Sequence, residues 1–148
     1  MPISNYCLID PQGGAIKVEL TINNGIRSGA LFILWKKDSN DKWTEKESFK
    51  LITGNDGIEK HILLEKPAEI ENDLLTWNIK ACAQINDANH GEFSITIYQD
   101  GSKLWSKTSR RKVNYCNTGH SIFGNQVFFK HLVSPQSLNL KLWKEVEI

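Results

Sequence analysis

The chain has little of what usually declares a function. No apolar run approaches the length that spans a bilayer, and the N-terminus, Met1-Pro2-Ile3-Ser4-Asn5, has neither a basic segment nor an apolar stretch. That excludes a helical membrane span and reads as a soluble protein. There are only three cysteines, Cys7, Cys82 and Cys116, with no C-x-x-C pair, and no N-x-[ST] sequon accompanies them. Odd parity without a sequon favours a reduced, cytoplasmic setting, with each thiol buried or structural. The tripeptide Asn-Tyr-Cys ends at both Cys7 and Cys116, so these two would meet if terminal strands paired, but it is too short to mark a duplication.

Chemical motifs are missing too. No nucleophile elbow, phosphate loop, dinucleotide fingerprint or zinc-protease motif occurs. His61, His90, His120 and His131 are scattered through separate segments, which gives no metal-ligand spacing. Asp38, Asn40 and Asp41, or Asp87, Asn89 and Glu92, could offer oxygens to calcium, yet neither set completes a calcium loop, and Asx-rich turns arise for conformational reasons. The reading is therefore of no cofactor, no metal and no catalytic residue.

Net charge is +1, which gives no global pull toward nucleic acid. The charge is nonetheless uneven: residues 1–100 hold 10 Lys+Arg against 15 Asp+Glu, and residues 101–148 hold 8 against 2. The densest basic cluster is Lys107, Arg110, Arg111 and Lys112, read as a solvated strand edge rather than a phosphate site.

What the chain does have is period-2 alternation. Ile16, Val18, Leu20 and Ile22 alternate with Lys17, Glu19, Thr21 and Asn23; Leu75, Trp77, Ile79, Ala81 and Ala83 alternate with Thr76, Asn78, Lys80 and Cys82; Phe93, Ile95 and Ile97 alternate with Ser94, Thr96 and Tyr98. Residues 30–35, Ala-Leu-Phe-Ile-Leu-Trp, are apolar on both parities, which predicts a central strand covered on both sides or nearly so. Further strands are predicted at 43–52 and 58–65, joined by a type I′ hairpin at Asn55-Asp56-Gly57, then a short one at Leu104-Trp105, a polar one at 112–115, one at 126–133, and one through Leu138, Leu140 and Leu142. No long amphipathic helix is present. The sum is one all-β domain over 1–148, an antiparallel β-sandwich of about ten strands, with a meander barrel as the alternative.

The second Asp-Gly pair, Asp100-Gly101, supplies the candidate site. A two-residue turn there sets Tyr98 against Lys103, Ile97 against Leu104 and Thr96 against Trp105. That register puts Ile97 and Leu104 inside and leaves Tyr98 and Trp105 on the outer face beside Lys103. Trp143, on the parity of Asn139 and Lys141, would also face outward. Tyr98, Lys103, Trp105 and Trp143 thus form a candidate ligand-binding set for a carbohydrate or a protein surface; the bland alternative is that another strand, loop or subunit covers them. Three functions follow: a non-catalytic binding module using exposed aromatics and loops, a self-assembling homo-oligomeric structural protein, and an enzyme or small-ligand carrier with an interior pocket.

Overall fold

The computed structural model describes residues 5–22, 25–54, 57–84, 90–117 and 119–132. Within them lie β1 (Tyr6–Ile9), β2 (Ile16–Ile22), β3 (Ile26–Lys37), β4 (Trp43–Thr53), β5 (Ile58–Ile62), β6 (Leu74–Ala83), β7 (His90–Gln99), β8 (Ser102–Lys112) and β9 (Ser121–His131), with a single 3-10 turn at Pro67–Glu69. A larger sheet of five strands runs β1-β9-β6-β3-β4, and a smaller one of four runs β5-β2-β7-β8. The sheets face each other and neither closes, so the architecture is a β-sandwich and not a barrel. Every neighbouring pair is antiparallel except β1, which joins β9 in parallel.

The alternating residues do what their period dictates. Ile16, Val18, Leu20, Trp77, Ile79, Phe93, Ile95 and Ile97 are all buried in one continuous core. Phe32 stacks on Phe49 at 4.8 Å within the larger sheet, and Phe93 meets Phe123 edge-on at 4.8 Å across the sandwich. The open flank between β4 and β5 is closed by Glu47, whose carboxylate is paired with His61 Nε2 at 2.7 Å and accepts the Leu64 N–H at 2.9 Å, while the His61 ring stacks on Phe49 at 3.9 Å. A buried carboxylate is tolerable here because every oxygen has a partner.

Several sequence expectations change. The strands at 43–52 and 58–65 are not hairpin partners: β4 pairs with β3 and β5 with β2, so the chain between them crosses from one sheet to the other. Residues 112–115 do not form a separate strand; β8 runs on to Lys112, and Tyr115 makes one parallel bridge to Ala83. Most important for function, β3 lies inside the larger sheet but is covered on one side only. Ala30, Phe32 and Leu34 are buried, whereas Leu31 is exposed and Ile33 and Trp35 are half-buried on the outer face. The expected strand at Leu138, Leu140 and Leu142 falls outside the described residues.

Candidate functional site

The Asp100-Gly101 turn forms as its residues demand. Both have positive φ, 51° and 77°, the type I′ combination that favours Asp-Gly. Gln99 then faces Ser102 and Tyr98 faces Lys103, but the register shifts between Tyr98 and Ile97, so Ile97 faces Trp105 and Thr96 faces Ser106. Leu104 is the extra residue of a β-bulge. Two adjacent apolar residues cannot both turn inward on a regular strand, because successive side chains alternate faces. The bulge resolves this conflict in favour of the larger one: Trp105 is 7% exposed in the core, and Leu104 packs beside it, partly buried.

The predicted aromatic pair is therefore split across the sheet. Trp105 points inward, correcting the outward placement that an uninterrupted register implies. Tyr98 is half-buried on the outer face of the smaller sheet with the Lys17 ammonium 4.5 Å above its ring, and Lys103 is exposed opposite it. Trp143 lies outside the described residues. Around Tyr98 that outer face is a hydroxyl ladder rather than an aromatic one, with Ser94 bonded to Thr108 at 2.8 Å and Thr96 to Ser106 at 3.1 Å.

The outer face of the larger sheet is chemically richer. Cross-strand register lines up Phe128, Leu74 and Trp35, then Gln126, Thr76 and Ile33, then Gly124, Asn78 and Leu31. At one end, aromatic rings cluster: Tyr6 lies 5.8 Å from Phe128, and Trp43 lies 6.2 Å from Phe128 on the other side. Lys130 sits over Tyr6 and Lys37 over Trp43. Next to the rings is a depression of about 410 Å³ lined by Asn5, Thr76, Asn78, Asn125, Gln126 and Phe128. The Thr76 hydroxyl accepts the Trp35 indole N–H at 2.9 Å, which fixes both side chains, and the Asn125 side-chain Oδ1 accepts the Gln126 backbone N–H at 2.8 Å. Asn78 and Gln126 remain exposed. Each amide offers donors and acceptors together, the combination that matches a hydroxyl, which is also both.

Sequence reading misses this cluster because the polar parity of β6 looks like any solvent face, and Tyr6 belongs to a short strand with no alternation to announce it. The signal that was present is the run of residues 30–35, whose outward apolar members belong to an open face, not to a buried layer.

Two polar groups elsewhere, Asp38 and Lys46, are structural. Asp38 spends its carboxylate on the N–H groups of Asn40 and Lys42, so that turn is built by side-chain-to-backbone bonding. Lys46, the extra residue of a second bulge opposite Leu34 and Trp35, is paired with Asp73 at 2.9 Å. Among the described residues no group of three or more His, Cys, Asp or Glu could hold a metal ion, and no helix is long and apolar enough to cross a membrane. Cys82 and Cys116 form a disulfide, and Cys7 is a buried free thiol, so Cys116 finds its partner on β6 rather than in Cys7.

Compared with protein-family models, curated proteins and solved structures, the chain matches none.

Proposed function

We propose that the chain is a non-catalytic carbohydrate-binding module whose site is the aromatic and amide end of the larger sheet's outer face. The observation that supports this is the juxtaposition, on strands, of Phe128 and the exposed amides of Asn78 and Gln126, which line one depression, with Tyr6 and Trp43, whose rings lie beside Phe128. A sugar ring has an apolar C–H face and an equator of hydroxyls. The rings supply flat apolar area for the first, and the amides pair the second. Strand-borne side chains hold that geometry with little ordering cost on binding.

The Cys82–Cys116 bond extends the proposal to location. It favours an oxidising compartment as the place of action, in contrast to the reduced one that cysteine parity suggests.

The test is a glycan array with the wild-type protein and with Tyr6→Ala and Gln126→Ala, both surface changes that should leave melting temperature within about a degree or two, since surface substitutions usually alter stability by under about 0.5 kcal/mol. Wild-type binding to a glycan, reduced at least about tenfold in either variant, supports the proposal. Absence of any glycan ligand, or variants that bind like wild type, overturns it. An oligomer that Tyr6→Ala dissolves would instead make the ring row a subunit contact.

A further inference from the structure

The opposite end of the same outer face has different chemistry. Here Gly29 faces Ile52 on one side and Lys80 on the other, and Lys80 in turn faces Ile122. Because Gly29 has no side chain, the sheet is left bare between its neighbours. The result is an open groove of about 670 Å³, within the range of small-molecule sites. Its apolar walls are unusually open for strand residues: Ile52 is 69% exposed, Ile122 70% and Leu31 39%. One end is capped by the Cys82–Cys116 bond.

The rim is basic. Arg27, Lys50 and Lys80 border the groove together with His120, and none of the described residues lining it is acidic. None of these basic side chains takes part in the ion pairs among described residues. An apolar floor inside an uncompensated cationic rim is complementary to a ligand that is apolar along its length and anionic at its end.

We propose that this groove binds a free single-chain anionic amphiphile, a long-chain carboxylate being the simplest example. The alternatives fit less well. A second copy docked face to face would bring Arg27, Lys50 and Lys80 against their own duplicates, a like-charge contact. An extended peptide laid along the groove would rest its backbone N–H and C=O groups on β3 and β6, interior strands whose own groups are already paired, and so leave them unsatisfied there; of the lining strands only β4 is a sheet edge. An alkyl chain has no such groups. The proposal is independent of the carbohydrate site, although Asn78 borders both depressions.

The experiment is titration calorimetry with dodecanoate below its micellar concentration, on wild type, Lys80→Glu and Gly29→Leu. Circular dichroism checks that each variant is folded. Lys80 is exposed, so its reversal keeps the test valid even if Gly29→Leu does not fold. Saturable binding of dodecanoate, at least about tenfold weaker binding of dodecyltrimethylammonium, a comparable loss in Lys80→Glu and no binding in Gly29→Leu support the proposal. It is overturned by no binding to wild type, by equal affinity for the cationic amphiphile, or by binding to phosphatidylglycerol vesicles without binding to dodecanoate. Self-association abolished by Ile52→Ser would likewise overturn it in favour of a second copy. Glycan binding through Tyr6 and Gln126 is read separately on the array, so either site can fail while the other stands.

Discussion

Trp77 and Trp105 meet edge to face across the sandwich, ring centroids 5.8 Å apart at 66°, one from β6 and the other from β8. This contact is what the bulge at Leu104 makes available. Trp105→Ala should accordingly cost about 3–5 kcal/mol, the range for truncating a buried large aromatic, and lower the urea midpoint sharply. Any loss of ligand binding in that variant should track unfolding. A change below about 0.5 kcal/mol would place Trp105 on the surface after all.

The same tryptophan shows how far the sequence can be read. Alternation is a backbone property with a fixed period, so the inward faces of β2, β6 and β7 were legible, and so was the Asp-Gly turn, because positive φ at two successive residues is a demand that few residue pairs meet. The bulge one pair beyond the turn was not. It depends on the core accepting Trp105 in preference to Leu104, a tertiary choice with no local code. The larger sheet's outer face was hidden for a related reason: Tyr6 and Phe128 are neighbours only through the parallel pairing of β1 with β9, at opposite ends of the described chain.

The disulfide joins Cys82 on β6 to Cys116 in the segment after β8, across a sequence separation of 34. Closing a loop of that size restricts the unfolded chain, and the Cys116→Ser variant should lose roughly 2–4 kcal/mol in urea unfolding. Reduction of the wild type should give the same shift. Equal midpoints with and without reductant would mean that the bond contributes nothing to stability.

Cys7 behaves oppositely. It is fully buried, and desolvation pushes its thiol from 9.0 up to about 12. The folded state therefore holds this proton more tightly than the unfolded chain does. The associated stability is complete below about pH 9 and is lost progressively as pH rises from there toward 12, because only the unfolded thiol ionises in that window. Relative to Cys7→Ala, the wild type should lose on the order of 2 kcal/mol between pH 9 and 10.5. Parallel pH profiles for the two proteins would contradict this, as would rapid labelling of Cys7 by iodoacetamide in the native state at pH 8.

Two glycines on the larger sheet's outer face should respond to the same substitution with opposite sign. At Gly29 an added methyl would have Ile52 Cγ1 at 3.8 Å as its nearest neighbour, an ordinary contact, so Gly29→Ala should stabilise by about 0.4–1 kcal/mol through a less flexible unfolded chain. At Gly124, opposite Asn78, the methyl would collide with the Trp77 carbonyl oxygen and the Asn78 side chain. A flexible side chain could swing away, but the carbonyl belongs to the β6 backbone, so β9 and β6 must separate locally. Gly124→Ala should therefore cost about 1–3 kcal/mol, as overpacking does. Because the same shift displaces Asn78 and Gln126, glycan binding should fall in this variant even under conditions where it remains folded. Urea midpoints that rose for both variants would show that β9 does not approach β6 as closely as the register places it.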